Sequence, residues 1–203
     1  MDVFEAISTC RAMRYLKPDP VPEEAIRKVL FAATRASNPG NSQGWDFVVL
    51  RDSGGKARIG EALREAMSPV IDAMAANDPR ASRMYGGVQH LLETFERVPV
   101  YIFVCGRAVY PVEAPQRSLV PAALYPASQN LIVAARALGL GSTFTTFHTA
   151  VEPVVREVLE LPEDVELGVM IALGWPERDF GPVKRKPLDE VVHWERWSEP
   201  GES

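Results

Sequence analysis

The 203-residue sequence predicts an α/β or α+β domain with one sheet and helices on both of its faces. Three observations predict it. Four short, apolar and largely β-branched or aromatic runs, at 45–50, 100–105, 142–147 and 165–173, read as strands. Segments of helical period lie before, between and after them. The composition is 46% hydrophobic and 24% charged, which is ample for a buried core and excludes a disordered chain.

The elements follow in order. Asp2 and Glu5 form a capping-box pattern ahead of Phe4, Ile7 and Cys10, so a helix is predicted over 2–10. Lys17-Pro18-Asp19-Pro20 forces an extended or turned stretch. Pro22, Glu23 and Glu24 suit a helix start, and Ile26, Val29, Leu30 and Ala33 make its apolar stripe to about Arg35. The run 37–42 is dense in turn residues. A helix over 54–76 is expected to kink at Ser68-Pro69, and another is expected from about Gly87 to Arg97. Residues 106–121 hold Pro111, Pro115 and Pro121 without periodicity, and a loop of that length is often functional. Residues 122–138 are apolar on nearly all sides and predict a central, buried helix that Gly139 ends. An amphipathic helix is expected over 151–161. Residues 174–203 carry Trp175, Trp194 and Trp197 without a strong period and read as an arm of one 1–203 domain.

Several functions are excluded. The formal charge of −5 argues against a nucleic-acid binder with a basic surface. No apolar stretch approaches the ~18 residues of a membrane span, and no signal-peptide pattern opens the chain. Cys10 and Cys105 are far apart, so the chain reads as cytoplasmic and reduced, and His90, His148 and His193 are isolated, so no metal set is expected. There is no GxxxxGK[ST], no GxGxxG after a strand and no GxSxG. What remains is two basic clusters in an acidic chain: Arg11 with Arg14, and Lys184-Arg185-Lys186. Each alone is most simply solvated surface charge; together they suggest an anion site, because guanidinium grips phosphate in a bidentate fork. The turn 38–43 adds amides and hydroxyls just before a strand.

Taken in register, these segments resemble the nitroreductase family of FMN-dependent enzymes. Cys10-Arg11-Ala12-Met13-Arg14-Tyr15 resembles the family's RRSxRxF segment, and Ala36 to Trp45 resembles its APSxxNxQPW loop. Ser128-Gln129-Asn130-Leu131 through Ser142 resembles its central helix and turn. Gly174-Trp175-Pro176 and Arg185 to Val192 resemble its strand end and basic tail. Three positions depart from the pattern: Cys10 stands in place of arginine, Ala12 of serine and Gly44 of proline. Cys10 is better read as a packed helix-end residue than as a redox thiol.

The resemblance implies an α+β fold whose central, mostly antiparallel sheet is flanked by helices. It further implies a homodimer with FMN at the subunit interface and a C-terminal arm, from about Trp175, lying across the partner. It places Arg11, Ala12 and Arg14 on the phosphate, ribityl chain or pyrimidine edge. Asn41 and Gln43 would face the polar edge of the ring, Phe144, Thr145 and Thr146 would line it near N5, and Arg185 with Lys186 would close on the phosphate. The implied activity is hydride transfer from NAD(P)H through flavin N5 to a small oxidised acceptor, such as a nitroaromatic or a quinone, with ping-pong kinetics. No protein side chain is required as an acid, base or nucleophile, because the cofactor carries the chemistry. Benzimidazole synthesis and reductive dehalogenation are rivals on the same fold. A flavin-sequestering protein without efficient turnover, or a basic-tail interaction module without cofactor, are rivals of other classes.

Overall fold

The structure, a computed structural model, describes residues 1–78 and 81–197. Six helices and four strands alternate in them: α1 (Val3–Thr9), α2 (Glu23–Ala33), β1 (Trp45–Leu50), α3 (Ser53–Asn77), α4 (Ser82–Glu93), β2 (Val100–Gly106), α5 (Val120–Ala137), β3 (Gly141–Thr145), α6 (Glu152–Leu159) and β4 (Glu166–Gly174). The strands form one sheet in the order β1-β2-β4-β3, and every pair is antiparallel. The fold is therefore α+β, which resolves the two classes that the strand and helix pattern left open.

The apolar runs of β2 and β4 are unbroken because the sheet is covered on both sides. Val100, Ile102 and Val104, with Val169, Ile171 and Leu173, pack against α2 and α5. Tyr101, Phe103 and Cys105, with Met170 and Ala172, face α3 and α4. Alternate side chains of one strand thus enter opposite cores, and neither face can be polar.

Local chemistry sets the helix ends. Asp2 caps α1 by accepting the Glu5 N–H at 2.8 Å, and Asp52 caps α3 by accepting the Gly55 N–H at 2.6 Å. Along α2, Glu23–Arg27 and Glu24–Lys28 pair one turn apart. Gly139, at φ +78°, ends α5: its N–H donates to Arg136 O and that of Leu140 donates to Ala135 O. This paired closure turns the chain directly into β3.

Some boundaries differ from expectation. α3 continues through Pro69 as one 25-residue helix. α4 begins at Ser82, five residues before Gly87, and gives way to a 3-10 turn at Phe95–Arg97. β3 stops at Thr145, because Thr146 turns at ψ 15° into the 3-10 turn Phe147–Val151.

Part of the expected arm is bonded to its own chain. Lys17 N donates to Trp175 O, Glu177 N to Tyr15 O, Val183 N to Ser8 O, and the Trp175 indole to Pro20 O. Residues 175–183 are therefore pinned to their own chain. In the stretch that follows, Leu188 is 74%, Trp194 74% and Trp197 81% exposed. Residues 198–203 of the expected arm lie outside the described residues.

Candidate functional site

The segment after α1 acts as a further edge of the sheet. Ala12 bridges Ser142 of β3, Met13 N donates to Ser142 O at 2.8 Å, and the Thr143 hydroxyl donates to Met13 O at 2.7 Å. On its other side, Leu16 bridges Pro176. Held from both flanks, the strip buries Met13 and leaves Arg11 and Arg14 to face outward or sideways.

A cleft of about 390 Å³ opens over this strip. It is lined by Arg11 and Arg14 of the strip, by Arg83 and Met84 of α4 and by Arg178 of the tail. A neighbouring cleft of about 260 Å³ is lined by Thr143, Phe144, Thr145 and Thr146, and Arg14 belongs to both. The structure thus brings together Arg11, Ala12, Arg14, Phe144, Thr145 and Thr146 along one groove. Phe144 is half-exposed there, with Tyr125 of α5 tilted against it at 6.0 Å between ring centroids.

The electrostatics of the groove are lopsided. Elsewhere, Arg27, Arg58, Arg64, Arg107, Arg117 and Arg156 are all paired with carboxylates. Among the described residues, no carboxylate pairs with Arg11, Arg14, Arg83 or Arg178. Burial without a compensating charge pulls the Arg14 pKa below its usual value. Arg178 instead lies 3.4 Å above the Tyr15 ring, and Tyr15 stacks on His90 of α4 at 4.1 Å. This three-layer stack ties the tail, the strip and α4 into one wall.

Two expected groups sit elsewhere in the same chain. Asn41 and Gln43 precede β1, at the opposite edge of the sheet from β3 and three strand spacings of about 4.8 Å away. Their turn is tightly shaped: Gly40, Asn41 and Gln43 have φ of 58°, 50° and 51°, and Gln43 N donates to Asn38 Oδ1 at 2.8 Å. The loop 106–121 backs it, with the Tyr110 ring against Gly40 and Val109 against Gly44. A Cβ at Gly44 would come within 2.6 Å of Val109 Cγ2, so this glycine makes room for the loop. Arg185 and Lys186 are exposed beyond the Val183–Ser8 tie, and Arg185 Nη1 donates to Lys184 O at 2.8 Å. Neither borders the large cleft.

Cys10 is the C-cap of α1, and burial raises its thiol pKa against the nearby Arg136, so it is a packed helix-end residue. Tyr15, Arg83, Met84, Arg178 and Tyr125 escape a sequence reading. No local motif marks them, and Arg83 falls ahead of the expected start of its helix.

Comparison with known proteins identifies the family. The model of the nitroreductase family matches residues 7–175, a span that contains the strip, the turn before β1 and β3. The chain belongs to the nitroreductase family. An NADH dehydrogenase of Thermus thermophilus is 30% identical over 204 residues, covering 96% of this chain and 96% of that one. A putative NADH dehydrogenase/NAD(P)H nitroreductase of Bacteroides thetaiotaomicron superposes with a TM-score of 0.74 at 21% identity, over 96% of this chain and 98% of that one. The NADPH:FMN oxidoreductase of Vibrio harveyi, complexed with NAD+, superposes with a TM-score of 0.73 at 21% identity, over 97% of this nitroreductase-family chain and 78% of that one. Among the described residues, no helix is long and apolar enough to cross a membrane, and no cluster of His, Cys, Asp and Glu could hold a metal.

Proposed function

We propose that this protein is an FMN-dependent oxidoreductase that takes hydride from NAD(P)H and delivers it to a small oxidised acceptor such as a nitroaromatic or a quinone. The observation that carries the reading is Arg14, half-buried without a carboxylate partner where two clefts meet. A guanidinium so placed favours an anion, and the donor set around it suits a phosphate monoester joined to a flat ring. The flavin, when bound, supplies a hydride acceptor and donor at N5.

The chain's own residues do the rest. Arg11 and Arg14 would take the phosphate, ribityl chain or pyrimidine edge, with Arg185 and Lys186 closing from the tail. Backbone and side-chain groups of Phe144, Thr145 and Thr146 would line the ring, and Phe144 and Tyr125 would exclude water from its apolar part. Ala12 offers no hydroxyl, so only its backbone is available. No side chain is assigned as an acid or base. Donor and acceptor would occupy the same face in turn, which gives ping-pong kinetics.

Asn41 and Gln43 cannot join this groove within one chain without crossing the sheet, and a homodimer supplies them from the second copy. The exposed apolar side chains Phe4 and Ile7 of α1, with Leu188, Trp194 and Trp197, offer surface for that contact.

The experiment is spectroscopic. The purified protein is expected to be yellow, to release FMN on denaturation, to bleach with NADH or NADPH under anaerobic conditions and to recolour with a nitroaromatic or quinone. A colourless protein that takes up no added FMN overturns the proposal, and a yellow protein that neither nucleotide bleaches is a flavin store instead.

A further inference from the structure

The large cleft holds more positive charge than one phosphate needs. Arg11 and Arg14 come from the strip, whereas Arg83 comes from the start of α4 and Arg178 from the tail, and all four line the same cleft. Arg178 is held flat on Tyr15, which stacks on His90, so its guanidinium is fixed before any ligand arrives. Glu177 and Asp179 flank Arg178 in sequence, yet among the described residues neither Arg178 nor Arg83 takes part in an ion pair. Like charges held around one cleft repel each other, and an anion bound between them relieves that repulsion. Met84 beside Arg83 and the Tyr15 ring beneath Arg178 give the same cleft apolar surface.

We infer that Arg83 and Arg178 form a second anion subsite, separate from the cofactor phosphate, which selects substrates carrying a carboxylate or phosphate on an otherwise apolar body. This rests on the oxidoreductase reading above and deepens it. The protein would discriminate among acceptors or donors by charge, through two residues to which the oxidoreductase reading gives no cofactor contact. The anionic group could come from an acceptor's carboxylate or from the extra phosphate that separates NADPH from NADH, and the two sources are separable.

The probes are 4-nitrobenzoate against the neutral 4-nitrobenzyl alcohol, and NADPH against NADH. In Arg83→Gln and Arg178→Gln, loss of a charge-assisted contact is expected to lower kcat/KM for the anionic member of one pair by about tenfold or more, with the neutral acceptor or NADH within about twofold. A fall confined to 4-nitrobenzoate assigns the subsite to the acceptor, and one confined to NADPH assigns it to the donor. Equilibrium binding of 4-nitrobenzoate to the protein as purified, followed by calorimetry, gives a readout without turnover and is expected to weaken in parallel if the acceptor is the source. Equal effects on both members of each pair, no effect on either, or loss of FMN from either variant overturns the subsite. If the wild-type protein takes up no FMN yet binds 4-nitrobenzoate in a way that needs Arg83, the subsite stands and the oxidoreductase reading falls.

Discussion

The hydroxyl of Thr143 reaches across from β3 and donates to the carbonyl of Met13 at 2.7 Å, with both residues buried. With the Met13 N–H to Ser142 O bond, it joins the strip that presents Arg11 and Arg14 to the strand that presents Phe144. The cleft geometry on either side of Arg14 depends on it.

Thr143→Val keeps the shape and removes the donor, leaving the Met13 carbonyl short of its partner. The expected cost is about 1–3 kcal/mol of stability, with weaker FMN binding, while Thr143→Ser retains both. Urea unfolding and flavin titration of the two variants check this. Equal behaviour of Val and Ser would show that the bond does not position the strip.

Gly44 and Val109 test how the loop 106–121 supports the turn that carries Asn41 and Gln43. Gly44→Ala forces Val109 aside and is expected to cost about 1–2 kcal/mol, because a filled space accepts extra volume poorly. Adding Val109→Ala should recover part of that loss. Stabilities that simply add in the double variant would separate the loop from the turn.

How much of this was legible in the sequence varies with the origin of each feature. The strands β2 and β4 were legible because cores on both faces make their apolar runs continuous. The start of α4 was not, because Ser82 to Gly87 ends in two glycines and carries little apolar stripe. Arg11 and Arg14 were legible as one basic pair on one segment. Arg83 and Arg178 were not: they lie 95 residues apart, and only folding brings them to one cleft. The separation of Asn41 and Gln43 from Arg14 was equally hidden, since strand order is a tertiary fact.

His148 gives a pH dependence. Its ring is fully buried in the turn after β3, and neither nitrogen has a well-formed hydrogen bond. Burial lowers its pKa from 6.5, while the Leu167 backbone and the charge of Glu152 oppose that shift by less. The folded protein therefore keeps His148 neutral where the unfolded chain already takes a proton. Its contribution to stability is full above about pH 6.5 and is lost as pH falls through the depressed folded value. Urea midpoints measured from pH 7.5 down to pH 5 should decline, and His148→Leu should flatten that decline. An unchanged slope in the variant would assign the decline to other groups.

Arg185 and Lys186 differ in chemistry despite adjacency. Arg185→Ala is expected to weaken FMN binding about tenfold to a hundredfold, because a charge-assisted fork to phosphate is lost. Lys186→Ala removes only a flexible point charge and should cost less. Equal affinity of the two variants in a flavin titration would count against this assignment.

The exposed end of the tail supplies the last prediction. Residues 175–183 are tied to their own chain by backbone bonds, yet Leu188, Trp194 and Trp197 beyond them present large apolar area to solvent. Trp197 stacks on the His193 ring at 4.2 Å within the same short segment. Tryptophan left open is adhesive, whereas at an interface it tends to dominate the energy of association. The tail is also the element that carries Arg185 and Lys186. A second copy that covers it would order the basic residues and bring Asn41 and Gln43 to the groove in one step. Deleting residues 188–203 leaves the ties at Trp175 to Val183 intact, so the monomer should still fold. Dimer content and flavin occupancy should fall together, read by sedimentation and by absorbance of the same sample. A truncated protein that stays dimeric and yellow would show that the contact is made by α1 and the sheet edge alone.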